Sequence, residues 1–226
     1  MKFGVVNFPG SAGFSDTLYA LHYVMEQNVV ELWHEQTDLQ GVDVVVLPSG
    51  ASFGDLPRPG VQGARSPIMT AVKWFAGKRG VVLGFGNGFQ ILCQAGLLQG
   101  ALSLNQSRSF VGKNIFIKPD NTNTPMTKLF KGQVLQLPIA HACGQFAADK
   151  ETMRELHQKG QILFRYCTED GKTTSESNPD GSLDNVAAIC NASKNVFGMM
   201  ACPERAVDPD LGNVNGQLIF QGFLDR

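Results

Sequence analysis

Gly80-Val81-Val82-Leu83, followed by Gly84-Phe85-Gly86-Asn87-Gly88-Phe89-Gln90, is the stretch from which the fold can be read. The first four residues form a short apolar run bounded by glycine, the pattern of a buried strand. Phe89-Gln90-Ile91-Leu92-Cys93-Gln94 then begins a helical pattern. Between the two, glycines recur at alternate positions, which suits a sharp turn with positive φ and close strand–helix packing. A turn of this kind lifts one side chain to the carboxyl edge of a parallel sheet, as a nucleophile elbow does. The position that should carry the reactive group is Gly86, which has no side chain.

Working outward, Lys2–Phe8 reads as a strand and Ser15–Gln27 as a helix with Leu18, Leu21, Val24 and Met25 on one face. Val29–Trp33 and Val42–Leu47 read as further strands. Ser66-Pro67 is a helix start, with serine as cap and proline at the first helical position. That helix runs to about Ala76, with Ile68, Val72, Phe75 and Ala76 turned inward. The alternation of strands and helices argues a parallel sheet with helices on both faces.

Beyond Gly100 the texture changes. Phe110–Lys118, Gln133–Pro138, Ile162–Cys167 and Val186–Cys190 read as strands, punctuated by Asp170-Gly171 and Asn178-Pro179-Asp180-Gly181. One helix, Asp149–Lys159, interrupts them, and a last helical pattern covers Gln217–Leu224. With no linker or repeat, residues 1–226 read as one domain whose sheet is mixed, parallel first and antiparallel later.

Composition narrows the class. Hydrophobic residues are 43% of the 226, enough for a substantial core, and the net charge of −1 leaves no footprint for nucleic acid or membrane. No apolar run approaches the roughly 18 residues that a membrane span needs. Met1-Lys2-Phe3-Gly4-Val5-Val6 enters a strand without a signal-peptide layout. The five cysteines (93, 143, 167, 190 and 202) show no Cys-x-x-Cys spacing. They suit reduced thiols in a cytoplasmic protein.

The elbow resembles the Gly-x-Cys-Asn-Gly-Phe-Gln signature of class I glutamine amidotransferases. The resemblance is strongest to the glutaminase subunits of phosphoribosylformylglycinamidine synthase. It extends over nearly the whole chain: Phe8-Pro9-Gly10-Ser11, Trp33 to Leu39, Ser52-Phe53-Gly54-Asp55, Arg58-Pro59-Gly60 and Ser66-Pro67-Ile68-Met69 all match. So do Asn121 to Pro125, Pro138-Ile139-Ala140-His141, Phe164-Arg165-Tyr166, Asn178 to Leu183, and Pro203-Glu204-Arg205-Ala206-Val207. The resemblance implies a flavodoxin-like three-layer α/β sandwich around a mixed, mostly parallel sheet. It implies glutamine as substrate and ammonia as product. It also implies partnership with a large synthetase subunit, which uses ATP and Mg, and a small bridging subunit. No cofactor is implied in this chain.

In that family a thiolate attacks the glutamine amide, a histidine moves protons and a carboxylate orients the histidine. Carried over by position, the nucleophile falls on Gly86, the histidine on Cys202 and the carboxylate on Glu204. The oxyanion donors fall on the N–H groups of Gly50 and Asn87, with Ser49 where the family usually has glycine, and Gln90 falls on a substrate-binding position. The family's His-Gly-Glu-Gly becomes His141-Ala142-Cys143-Gly144. Ser49, Ala51, Gly86, Ala142, Cys143, Ala201 and Cys202 all depart from the pattern, and all are expected around one cleft.

Other chemistries compete for the same residues. Cys202 is a substitute nucleophile only against the neighbouring Glu204, whose charge favours the neutral thiol. His141, Cys143, Cys202 and Glu204 are ligand types that suit zinc if they converge; a Cys143–Cys202 disulfide is disfavoured in a reducing compartment. Cys93, about 10 Å along the helix after the elbow, and Cys167 and Cys190 read as small buried hydrophobes. His22 and His157 read as surface or packing residues, and His34 carries no assignable chemistry. Two functional readings follow: a glutaminase subunit with an impaired site, or a non-catalytic pseudo-glutaminase acting as a structural or regulatory partner.

Overall fold

In the computed structural model, which describes residues 1–224, eleven strands and six α-helices alternate along the chain. The first half contains β1 (Lys2–Asn7), α1 (Gly13–Leu18), β2 (Asn28–Trp33), β3 (Val44–Leu47), α2 (Val61–Arg65), α3 (Ile68–Gly77), β4 (Val81–Phe85) and α4 (Asn87–Gln94). The second contains β5 (Ala101–Ser103), β6 (Val111–Pro119), β7 (Leu135–His141), β8 (Gln145–Ala147), α5 (Lys150–Gln158), β9 (Ile162–Cys167), β10 (Val186–Cys190), β11 (Val196–Met199) and α6 (Asn215–Leu224).

Nine strands form one sheet in the order β2-β1-β3-β4-β11-β10-β9-β6-β7, and β5 pairs with β8 in a separate ribbon. Pairing is parallel from β2 across to β11. It is antiparallel from β11 to β7. The mixed sheet is therefore as the sequence implies, and so are the covering layers. Side chains alternate across a strand, so Val44 and Val46 of β3 enter one core while Val45 and Leu47 enter the other. The first core is closed by Ala20, Leu21 and the α6 residues Ile219, Phe220 and Phe223. The second is closed by Ile68, Met69 and Val72 of α3 and by Phe89, Ile91 and Leu92 of α4.

Several local features differ from the sequence pattern. The first helix begins at Gly13, whose N–H bonds to Ser49 O at 3.2 Å, and continues from Tyr19 to Val24 as a π-helix. It stops short of Gln27 because Glu26 takes a positive φ of 54°. Ser66 does not cap α3: its hydroxyl reaches back to Gln62 O at 3.4 Å, at the end of the short helix α2. Pro67 holds the cap position, and Ile68 N–H is satisfied by His34 O at 3.0 Å. β7 extends three residues past Pro138, which carries it to His141. β11, which the sequence pattern left unassigned, runs parallel to β4 near the middle of the sheet. Among the described residues, no helix is long and apolar enough to cross a membrane.

Candidate active site

A single residue separates β4 from α4. Gly86 sits there at φ 50°, ψ −110°, a conformation closed to most side-chain-bearing residues. Its N–H bonds to Met199 O at 2.8 Å, fixing the turn to β11, and Gly88 N–H bonds to Pro48 O at 3.1 Å, fixing it to the end of β3. A Cβ on Gly88 would stand 2.0 Å from Leu47 O, so helix and strand approach this closely only with glycine there. The alternating glycines thus build the sharp elbow that their spacing suggests.

Strands β3, β4, β11 and β7 all point their carboxyl ends to the same edge of the sheet, where α/β folds place their ligand crevices. A cavity of 270 Å³ opens there. Ser49, Gly50, Gly86, Asn87, Gln90, His141, Cys143 and Cys202 line it. Glu204 does not. It lies one layer behind, 2% exposed, so Glu204 does not project into the cleft beside His141 and Cys143. Of the seven departures, Ser49, Ala51, Gly86, Ala142, Cys143 and Cys202 line the cavity; Ala201 instead enters the first core. Asp55, Phe110 and Arg205 also face the cavity, although their sequence context assigned them no role. Asp55 and Arg205 fall inside matched motifs, which was the available signal; Phe110 had none.

Gly50 takes φ 120°, and among the described residues neither its N–H nor that of Asn87 has a protein acceptor. The Asn87 side chain accepts from Ser52 Oγ at 2.5 Å and donates to Gln90 Oε1 at 2.8 Å. Gln90 Nε2 in turn donates to Cys143 O at 2.6 Å. The Gln90 amide is therefore tied into the wall of the cavity.

At the far side, Cys202 is held through its N–H to Pro138 O at 2.9 Å. Burial first, and then the Glu204 charge, push its thiol up to about 12, so it is neutral at ordinary pH. Burial also pushes the Glu204 carboxyl up to about 7, eased by the Ser49 hydroxyl nearby. Neither Glu204 oxygen has a hydrogen bond among the described residues, and Ser49 Oγ has none of good geometry. Glu204, the position to which the resemblance assigns the orienting carboxylate, is thus buried and, among the described residues, unpaired, and a thiol stands at position 202.

His141 closes the cavity from β7. Its Nδ1 lies 3.1 Å from Asn105 Oδ1, and its Nε2 lies 3.7 Å from Asp180 Oδ2. Burial lowers its pKa to about 4, so the ring is neutral. Among the described residues, no three His, Cys, Asp or Glu side chains gather to hold a metal ion, and all five cysteines are free. The zinc reading thus lacks a ligand cluster, and no Cys143–Cys202 disulfide forms. Cys167 and Cys190 are buried in β9 and β10, as read, whereas Cys93 keeps partial exposure while packing against the second core. His22 is exposed, His157 pairs with Asp184 at 2.8 Å, and the buried His34 packs among Phe8, Trp33 and Phe53.

Sheet, elbow and paired backbone donors together define an α/β protein of the glutamine amidotransferase type. The profile of the CobB/CobQ-like glutamine amidotransferase domain matches residues 1–217. Phosphoribosylformylglycinamidine synthase subunit PurQ of Koribacter versatilis is 46% identical over 99% of this chain and 97% of its own length. The PurQ subunit of Acaryochloris marina is 46% identical over 100% and 96%. Among solved structures, PurLQS from Thermotoga maritima superposes with a TM-score of 0.87 at 32% identity, covering 99% of this chain and 97% of that one. The chain belongs to the CobB/CobQ-like glutamine amidotransferases and, within them, to the PurQ family.

Proposed function

We propose that this chain is the PurQ-type subunit of a phosphoribosylformylglycinamidine synthase in purine biosynthesis, a single amidotransferase domain whose own cleft forms no glutamyl thioester. It would assemble with a large synthetase subunit, which uses ATP and Mg, and a small bridging subunit; it needs no cofactor itself. Full-length similarity to PurQ subunits supports the family role. The unpaired thiols suit a cytoplasmic setting.

One observation carries the chemical half of the proposal. At the elbow, where the attacking sulfur belongs, stands Gly86, and the sulfur beside it, on Cys202, is a buried neutral thiol. The backbone N–H pair of Gly50 and Asn87 remains, and such donors contribute about 2.7–4 kcal/mol each to a tetrahedral intermediate. They have nothing to stabilise unless a nucleophile reaches the amide carbon. The missing histidine at position 202 favours the same conclusion independently, because a buried neutral thiol stands where the proton-carrying imidazole would be. The subunit then acts as a structural or regulatory partner that can hold glutamine without turning it over.

The test is glutamate release from glutamine by the unaltered chain, alone and with the large and small subunits, alongside co-purification with them. Co-purification with no glutamate above background supports the proposal. Sustained glutamate release refutes the silent cleft, and failure to assemble refutes the subunit role.

A further inference from the structure

Building on the silent cleft, we propose that Ser49 is the residue that bars the nucleophile position: a side chain at position 86 can be seated only at the expense of the Ser49 side chain. A Cβ placed on Gly86 would lie 3.0 Å from Ser49 Cβ, 3.5 Å from Ser49 Cα and 3.8 Å from Cys202 Sγ. Carbon atoms pack best at about 3.5–4.0 Å. Ser49 would therefore have to retreat.

Its routes of retreat are shut. The Ser49 carbonyl accepts from Ser11 Oγ at 2.9 Å and from Gly13 N–H at 3.2 Å, which pins the backbone to the start of α1. The hydroxyl lies flat on that helix start, because a Cβ on Gly13 would stand only 2.3 Å from Ser49 Oγ. The following residue is pinned as well, since a Cβ on Gly50 would lie 2.6 Å from Ala12 N. Ser49 is 2% exposed and is a wedge between α1 and the elbow. Positions 49 and 86 are coupled: glycine at 86 is what the wedge permits.

Two variants test the coupling, each with Gly86→Cys and Cys202→His, one retaining Ser49 and the other carrying Ser49→Gly. The probe is a chloromethyl ketone analogue of glutamine, on which a thiolate displaces chloride and forms a thioether. Alkylation at position 86, and glutamate release in the presence of the synthetase, should be about 100-fold faster with Ser49→Gly, the penalty for misplacing a reacting atom by about 1 Å. Equal rates in the two variants, zero included, overturn the assignment. A second measurement does not depend on catalysis. Gly86→Ala should lower Tm by about 3 °C more beside Ser49 than beside Ser49→Gly, the shift that about 1 kcal/mol gives in a chain of this size. Equal losses of Tm also overturn it. Turnover by the unaltered chain would sink the silent cleft without touching this comparison, so the two ideas fail separately.

Discussion

At the scale of single residues, Glu204 and His141, two of the buried titratable groups around the cleft, pull stability in opposite directions. Glu204 is raised from 4.5 to about 7, so the fold favours its protonated form. Its contribution is complete below pH 4.5 and is lost as pH rises through 7. His141 is lowered from 6.5 to about 4, so the fold favours its neutral form. Its contribution is present above pH 6.5 and is lost as pH falls through 4. Between pH 4.5 and 6.5 the two slopes oppose each other, and between 6.5 and about 7.5 the Glu204 slope stands alone. Glu204→Gln should therefore raise stability at pH 8 by up to about 3 kcal/mol, at 1.36 kcal/mol per unit of pKa. It should also flatten the fall above pH 6.5 and expose a steeper loss on the acid side. Urea unfolding at pH 5, 6.5 and 8 reads all three; an unchanged profile above pH 6.5 would show that the carboxylate is paired in solution.

At the scale of elements, the elbow depends on β11, a strand of four residues that the sequence pattern does not reveal. Gly198 lies at its centre, and a Cβ there would meet Phe89 Cδ2 at 2.2 Å and Leu98 Cδ1 at 2.6 Å. Glycine weakens any strand signal, and only the packing of α4 across it explains the choice. Gly198→Ala should cost about 1–3 kcal/mol through overpacking. Because Met199 O holds Gly86 N–H, the variant should also loosen the elbow. The measurements are the urea midpoint and amide exchange at Gly86, where faster exchange than at β1 is the expected sign. The same contrast explains what was legible in the sequence. The elbow could be read because its glycines answer to φ and to contacts a few residues apart. The failed cap at Ser66 and the π-helix after Leu18 could not, because His34 O and the first core decide them from far along the chain. Site residues divide in the same way. Gly86, Ala142, Cys143 and Cys202 were legible as departures from a pattern. The withdrawal of Glu204 behind the cavity, and the wedge at Ser49, are matters of depth and contact that no spacing encodes.

At the scale of the whole molecule, the proposed silent cleft raises the question of what the fold would do for its complex. Six of the seven departures line one cavity and the seventh, Ala201, is a small apolar residue of the first core, whereas the nine-stranded sheet and both cores are complete. A chain that had simply decayed would show polar intrusions or lost apolar positions in those cores. Instead, Phe3, Val5, Leu83, Phe197 and Phe220 are fully buried in one and Val45, Leu47 and Val82 in the other. The scaffold that partners would recognise is thus intact, and assembly should be separable from glutamine chemistry. In a complex reconstituted with the large and small subunits, product should form from the formylglycinamide substrate and ATP when ammonium salt is supplied, and not when glutamine is the sole nitrogen source. Omitting this chain should alter the stability or the ammonium-driven rate of the complex, which separates a structural partner from a bystander. The decisive measurement is the ratio of glutamine-supported to ammonium-supported turnover at matched ATP and Mg. A ratio at background, with the chain present in the purified complex, is the expected result. A ratio near one would mean that glutamine is being opened in this cleft by some group other than a sulfur at position 86.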